Sequence, residues 1–177
     1  MNKQGNTYTF IYSVILVVVV AALLSVISLS LQPRQNENRQ NEKRQNILSA
    51  IHISSTAQNS AELFNKYIKE QFIVNDKGQR IEGNAFNVDI KEQYNVAADK
   101  REFPVFVADV DGATKYILPI YGAGLWGPIW GYISLDADKS TIYGTFFDHQ
   151  GETPGLGAEI TTPAFNNQFQ NKQIFSG

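Results

Sequence analysis

The first 33 residues carry the most pronounced hydrophobic pattern of the chain. No charged residue lies between Lys3 and Arg34, and positions 10–31 are dominated by Val, Ile, Leu and Ala. A helix rises about 1.5 Å per residue, so this stretch can cross a hydrocarbon core of about 30 Å. A cleaved signal peptide is the alternative, but the apolar run is longer than a typical signal-peptide core and no compact cleavage site follows it. The pattern predicts a retained transmembrane anchor over residues 1–33.

A polar segment, residues 34–58, follows the predicted anchor. As far as Gln45 it consists almost wholly of Gln, Asn, Arg, Glu and Lys, with opposite charges at helical or near-helical spacing. This predicts a solvated helical stalk that continues the anchor helix. The last part of the stalk carries an apolar stripe that can dock on a neighbouring protein or on the following domain: Ile47, Leu48, Ile51 and Ile53.

Residues 59–177 are predicted to form one domain, long enough to hold a single core. Its first element is a second helix, with Ser60 at the expected N-cap. Apolar residues recur at helical spacing along it and supply its buried face: Leu63, Phe64, Tyr67, Ile68 and Phe72. The Asn-Asp-Lys-Gly sequence at residues 75–78 is typical of a turn and predicts the end of this helix and a short hairpin.

The second half of the domain has the pattern of β-strands separated by turns. Asp111 and Gly112 form a strong signal for a hairpin turn. Farther along, Thr162 and Pro163 have the N-cap and first-turn character of a helix start. The predicted strands are Phe103–Val110, 115–121, Pro128–Leu135 and 141–147. These elements predict an α+β fold, in which a twisted antiparallel sheet with flanking helices follows the single transmembrane helix.

Composition excludes several classes of function. The formal net charge is −2, and no basic face with interleaved aromatic residues is present, so nucleic acid is not expected as a partner. The chain has no cysteine and therefore forms no disulfide and holds no iron–sulfur cluster through thiolates. Asp136 and Asp138 lie beside Lys139 with few other oxygen ligands nearby in sequence. We expect a plain turn there, and no metal site is predicted.

The most informative segment, here called the glycine loop, is residues 151–157 (Gly-Glu-Thr-Pro-Gly-Leu-Gly). Pro154 fixes its own φ and Gly155 can adopt φ > 0, so a type II turn is predicted. Gly157 lacks a Cβ, which would let a flat ligand or another backbone approach closely. Taken alone, the segment fits both a surface loop with turn chemistry and a binding loop.

Two motifs together carry a family resemblance. The Glu-Thr-Pro-Gly-Leu-Gly sequence of the glycine loop resembles the signature of FMN-binding domains in membrane-bound flavoprotein subunits. Residues 119–126 (Pro-Ile-Tyr-Gly-Ala-Gly-Leu-Trp) narrow the resemblance to the NqrC family, the C subunits of the Na⁺-translocating NADH:quinone reductases. The G subunits of Rnf-type complexes share the first motif but usually lack the Gly-Leu-Trp. An Rnf-type subunit is one alternative, and a structural or assembly relative without flavin is another.

The resemblance implies a contact surface for FMN built from both motifs. The implied cofactor-binding residues are Trp126, Glu152, Thr153, Gly155, Leu156 and Gly157, and no catalytic residue is implied. Glu152 either lowers the flavin potential or caps the backbone, and Trp126 is either a flavin wall or core filler. His149 could donate a hydrogen bond to a flavin edge, but a solvated turn residue is the simpler interpretation.

The resemblance also implies partners and a location. The protein would relay electrons through FMN between carriers of the complex in the bacterial inner membrane, beside the B, D and E subunits and the lipid bilayer. The family's domain faces the periplasm. The flanking charges favour the opposite side, because Arg34, Arg39, Lys43 and Arg44 follow the anchor and only Lys3 precedes it. We follow the family and expect a periplasmic domain.

In the family, FMN is bound covalently as a phosphoester to a threonine of a Ser-Gly-Ala-Thr sequence well beyond the glycine loop. Residues 1–177 do not contain that sequence. We therefore expect either that the domain is C-terminally incomplete or that the protein lacks the covalent flavin. Thr153, Thr161 and Thr162 are not candidates for the attachment.

Overall fold

The computed structural model describes residues 6–175. Its first element is one long helix, α1 (Asn6–Ser49), so the polar segment continues the apolar helix as predicted, but only as far as Ser49. Among the described residues α1 alone is long and apolar enough to cross a membrane, with a mean hydropathy of 3.0 over its most apolar window. Pro33 lies inside α1 just beyond the apolar part and has no backbone N–H, so the carbonyl four residues earlier lacks its helical donor. By length and composition, α1 is a candidate membrane anchor.

The chain divides into two compact units, Met1–Gln40 and Asn41–Gly177. In its described part the first unit consists of α1 alone. The second holds the end of α1 and all the later elements. The boundaries predicted from the sequence, at residues 33 and 58, stay predictions.

The described residues hold six strands, which form one antiparallel sheet in the order β2-β1-β3-β4-β5-β6. The strands are β1 (Ile68–Val74), β2 (Arg80–Ile81), β3 (Phe103–Val110), β4 (Ala113–Ala123), β5 (Pro128–Leu135) and β6 (Ile142–His149). Asp111 and Gly112 have φ of 53° and 81°, as the tight turn between β3 and β4 requires. The α+β prediction is confirmed.

The second helix is shorter than predicted. Helix α2 (Ser60–Tyr67) has Asn59 rather than Ser60 at its N-cap, and the chain passes from it directly into β1. The prediction that this helix continues to Phe72 is wrong, because residues 68–74 pair with β3 and the strand hydrogen bonds override the helical spacing. The predicted turn at residues 75–78 is present, with Gly78 at φ 72°.

Strand β1 has a partly covered outer edge. The short strand β2 pairs only with Ile73 and Val74. Between Ile68 and Glu70 the register with β3 shifts, which indicates a β-bulge. Lys69 and Glu70 are exposed beside this bulge, so the uncovered part of the edge is irregular and charged.

The end of α1 lies in the core of the second unit. The apolar stripe of the stalk therefore docks on the domain, and three of its residues are fully buried: Ile47, Leu48 and Ile51. The Ser134 hydroxyl lies 2.6 Å from the Ala50 carbonyl oxygen, which joins the helix end to β5. A Cβ on Gly144 would stand 2.5 Å from the same carbonyl oxygen, so the close approach to β6 requires glycine.

Lys43 ties α1 to the segment between β2 and β3. Its Nζ donates to the carbonyl oxygens of Phe86, at 2.6 Å, and Val88, at 2.9 Å. Burial lowers the pKa of Lys43 from its usual range, and the nearby charge of Asp89 opposes this shift. The two carbonyls compensate part of the cost of burying the ammonium group.

Helix α3 (Ile90–Tyr94) precedes β3. Three short helical segments begin at the last residue of the glycine loop: a 3₁₀ helix at Gly157–Thr161, helix α4 (Pro163–Asn166) and a 3₁₀ helix at Asn167–Phe169. The Thr162 hydroxyl accepts the Phe165 N–H at 3.3 Å, which confirms the predicted helix start. The rings of Phe165 and Phe169 pack on Phe147 with centroid distances of 5.9 and 5.4 Å. These contacts hold the segment that follows the glycine loop against β6.

Candidate functional site

Two loops that carry the sequence motifs lie at one end of the sheet. The first, here called the tryptophan loop, joins β4 to β5 and comprises residues 124–127. The second is the glycine loop, which follows β6. The strands are antiparallel and Ile129 pairs with His149, so the start of β5 and the end of β6 are neighbours. The sheet therefore brings the two motifs together.

The glycine loop contains the predicted turn. The Leu156 N–H donates to the Thr153 carbonyl oxygen at 3.1 Å, and Gly155 has φ 75°, which are the marks of a type II turn. The Gly155 N–H donates to Oε1 of Glu159 at 3.1 Å. The amide of Gly155 is thus already engaged by a side chain of the following 3₁₀ helix, whereas the sequence suggested that it faces a ligand.

Glu152 lies where the two loops meet. The residue is only 9% exposed, and its Oε1 accepts the backbone N–H of Trp126 at 3.0 Å. Its own N–H donates to Nδ1 of His149 at 3.1 Å, which assigns the ring proton to Nε2 in the neutral imidazole. In the structure Glu152 caps the backbone of the tryptophan loop, which is one of the two roles that the sequence left open. An effect on a flavin potential stays a prediction.

The Glu152 carboxylate occupies space that two glycines leave. A Cβ on Gly124 would stand 2.3 Å from Oε1, and a Cβ on Gly157 would stand 2.5 Å from Oε2. At Gly151, by contrast, a Cβ would meet nothing within 4 Å. The sequence suggests that Gly157 makes room for a ligand or another backbone, but in the structure a side chain of the same loop fills this room.

Three large apolar side chains of the two loops are exposed. Leu125 is 83% exposed, Trp126 71% and Leu156 73%. Trp126 is therefore not core filler, and this alternative is wrong. Thr153 is also exposed. Exposed aromatic and aliphatic side chains beside a turn of bare backbone are suited to one face of a flat, mostly apolar ligand.

The aspartates of the β5–β6 turn have structural partners. Asp136 forms an ion pair with Lys115. Asp138 accepts hydrogen bonds from the side chain and backbone of Thr141 and from the backbone of Ser140, and these bonds lower the pKa of Asp138. Within residues 6–175 no group of three or more His, Cys, Asp or Glu side chains could hold a metal ion.

Two features of the structure were not predicted from the sequence. One is the hydrogen bond between Glu152 and Trp126, although the acid and the glycines that make room for it were visible. The other is a cleft of about 190 Å³ along β6, whose lining includes His52, Thr145 and Asn166. No spacing pattern relates His52 to the C-terminal helices, so the sequence contained no signal for the cleft.

Comparison with known proteins places this site in a class. Residues 124–176, which include both loops, match the FMN-binding domain family. The fold agrees with this match. Over 82% of this chain and 71% of the other, the structure superposes with a TM-score of 0.77 on the C subunit of the Na(+)-translocating NADH-quinone reductase from Parabacteroides distasonis, at 50% sequence identity. The chain belongs to the NqrC family, the C subunits of the Na(+)-translocating NADH-quinone reductases.

More distant members agree. The sequence is 27% identical over 174 residues to the C subunit of the Na(+)-translocating NADH-quinone reductase from Vibrio vulnificus, an alignment that covers 89% of this chain and 68% of the relative. The NqrC structure from Shewanella oneidensis has the same fold, with a TM-score of 0.67 at 23% identity over 78% of this chain and 72% of the other. Membership of the NqrC family decides against the Rnf-type G subunit.

Proposed function

We propose that this chain is the FMN-carrying NqrC component of a Na⁺-translocating NADH:quinone reductase and that it relays electrons within that complex. The observation that carries the proposal is the pair of exposed apolar residues, Trp126 and Leu156, on two loops joined through Glu152. Bound FMN supplies the electron chemistry, because it accepts and releases electrons one or two at a time. The chain itself binds neither quinone nor Na⁺ in this proposal.

The residues present fit an isoalloxazine ring on one side. Trp126 and Leu156 would provide apolar walls, and the exposed Thr153 would offer a hydroxyl to a polar edge. The bare backbone of Gly155 would face the ring without side-chain bulk. The Glu152 carboxylate is turned into the protein and bound to Trp126, so it would act on the flavin through the loops.

Replacing Trp126 by alanine is expected to weaken FMN binding about tenfold, which corresponds to about 1.4 kcal/mol. Because the Trp126 side chain is mostly exposed, the free energy of unfolding should change little. Titration of the detergent-solubilised apoprotein with FMN, followed by quenching of flavin fluorescence, measures the change. Phe175→Ala, which removes an exposed ring outside both loops, is the matched control. Equal affinity of Trp126→Ala and wild type would contradict the assignment of Trp126 as a wall.

The second candidate function is a structural or assembly subunit without flavin. It is favoured by the position of the Glu152 side chain, which fills the space that Gly124 and Gly157 leave. We propose instead that the flavin is attached covalently through a threonine, as in the family. In-gel flavin fluorescence of the product of the whole reading frame distinguishes the two candidates, since only a covalently flavinylated protein gives a fluorescent band after denaturation.

The proposed partners follow from family membership. They are the other subunits of the reductase, notably the B, D and E subunits, and the lipid bilayer around α1. The candidate anchor in α1 would hold the chain in the bacterial inner membrane as a single-pass protein. In this arrangement the protein would be active only within the complex.

The globular domain is proposed to lie on the periplasmic side. Protease added to intact spheroplasts is then expected to degrade the domain, whereas a cytoplasmic control protein survives until lysis. The count of Lys and Arg around the anchor favours the other side, with Arg34 and Arg39 closest to the C-terminal end of the apolar stretch. Degradation only after lysis would show that the domain follows the charge rule and lies in the cytoplasm.

A further inference from the structure

Glu152 is the residue through which the tryptophan loop and the glycine loop contact each other. We propose that it is a positioning residue: its carboxylate fixes the tryptophan loop to the glycine loop and so sets the places of Trp126 and Leu156, without contacting the flavin. The inference rests on the proposed function, since it assigns the way in which the two walls of the same site are held.

Burial is the first argument. Leu125 and Trp126 of the tryptophan loop and Leu156 of the glycine loop are more than two-thirds exposed, whereas Glu152 is 9% exposed. A carboxylate loses hydration when it is buried and needs hydrogen-bond donors in compensation. The Trp126 N–H supplies one such donor at 3.0 Å. A buried acid between two exposed loops is therefore held there by the loop backbone.

The glycine pattern is the second argument. The Glu152 carboxylate stands with Oε1 on the side of Gly124 and Oε2 on the side of Gly157, and a Cβ at either glycine would overlap it. Glycines on both loops thus make room for one carboxylate. The Glu152 side chain accounts for Gly157 and, together with the Gly127 carbonyl oxygen 2.8 Å from a Cβ at that position, for Gly124. Gly151, on the same loop as Gly157, borders open space.

Hydrogen bonds on either side define the position of the carboxylate. The Glu152 N–H donates to His149 Nδ1, which fixes the backbone at the end of β6. The Gly124 N–H donates to the Gly127 carbonyl oxygen at 2.8 Å, which closes the tryptophan loop. The bond from Glu152 to Trp126 joins these two locally ordered turns. A site whose walls are held in place before the ligand arrives loses less entropy on binding.

The test uses two variants that separate the length of the Glu152 side chain from its charge. Glu152→Gln keeps the length of the side chain and an oxygen that accepts the Trp126 N–H, but it removes the charge. Glu152→Asp keeps the charge, but it is one methylene too short to span the same distance. If Glu152 acts by position, Glu152→Gln retains the hydrogen bond to Trp126 and the affinity for FMN, and Glu152→Asp loses both. If instead the charge of Glu152 acts on the flavin, Glu152→Asp retains the affinity for FMN and Glu152→Gln loses it.

Two readouts are taken on the full chain in detergent micelles, prepared without flavin. Amide hydrogen exchange of Trp126 by NMR reports the hydrogen bond in the absence of any ligand. Titration with FMN reports the binding site. For Glu152→Asp we expect Trp126 exchange to be faster and FMN affinity to be lower, each by about tenfold, with Glu152→Gln close to wild type. Glu82→Asp, at an exposed position on another segment, is the matched control.

A double-mutant cycle tests the role of the glycines. Gly157→Ala should accelerate Trp126 exchange because its Cβ displaces the carboxylate, whereas Gly151→Ala should not. In a Glu152→Ala background the same Gly157→Ala change should add much less, since the carboxylate is absent and only the Cβ at position 152, 3.1 Å from the new methyl group, remains. Independent effects of the two substitutions would overturn the inference.

The outcomes separate the inference from the proposed function. If the wild-type protein neither binds FMN in the titration nor gives a fluorescent band in the gel, the proposed function is overturned and the inference with it. If the wild type binds FMN and Glu152→Asp binds equally well despite faster Trp126 exchange, only the positioning role is overturned. Loss of FMN binding by Glu152→Asp with unchanged Trp126 exchange would show that Glu152 contacts the flavin directly, which also overturns it.

Discussion

Replacing Phe106 by alanine is expected to lower the free energy of unfolding by about 3–5 kcal/mol. Phe106 lies in β3, near the middle of the sheet, and its ring is fully buried in the core that contains the end of α1 and helix α2. It packs edge-on against Phe64 at a centroid distance of 6.2 Å. Truncation would remove this contact and leave a cavity in the core.

Urea unfolding of the detergent-solubilised protein, followed by tryptophan fluorescence, measures the loss. Phe175→Ala makes the same chemical change at an exposed position and should leave the free energy of unfolding nearly unchanged. A loss below about 1 kcal/mol for Phe106→Ala would mean that the core does not depend on β3 in the way that the structure indicates.

Replacing Gly131 by alanine is expected to destabilise the domain by about 3 kcal/mol or more, at the upper end of the range for overpacking. A Cβ on Gly131 would stand 2.0 Å from the carbonyl oxygen of Phe146. That atom belongs to the backbone of β6, so relief requires the two strands to move apart. Because β5 and β6 lead into the tryptophan and glycine loops, FMN binding should weaken together with stability.

Gly122→Ala provides the matched control for this prediction. Gly122 lies in β4, and a Cβ there would make an ordinary contact of 3.9 Å with Ile129. We expect its effect on the free energy of unfolding to be small. Equal stability of Gly131→Ala and Gly122→Ala, measured by the same urea titration, would contradict the close approach of β5 and β6.

Much of the fold could be predicted from local patterns. Asp111 and Gly112 define their hairpin because few residue pairs tolerate positive φ at both positions. The same local reasoning failed between Ile68 and Phe72, where apolar residues at helical spacing belong to a strand. The partner of that strand, β3, lies about 30 residues farther along the chain, and such long-range pairing leaves no mark in the local spacing.

The candidate site was predictable in its residues but not in its geometry. The motifs indicated Trp126, Glu152 and Leu156 as members of one site, and the sheet brings their loops together. The sequence left open whether Glu152 caps the backbone, because the direction of a side chain depends on atoms from a second loop. Whether Trp126 is buried or exposed was open for the same reason, since a tryptophan in a glycine-rich turn serves either purpose.

The bulge and the charged residues at the free edge of β1 bear on whether copies of this molecule associate through their sheets. An open, flat strand edge invites the same strand of another copy to add to it, which is a route to fibrils. Here the free stretch is interrupted by the bulge and presents Lys69 and the ion pair between Glu70 and Arg80, so a second copy would meet a broken ladder and charged side chains. This edge of the sheet is therefore a poor template for the addition of a strand from another copy.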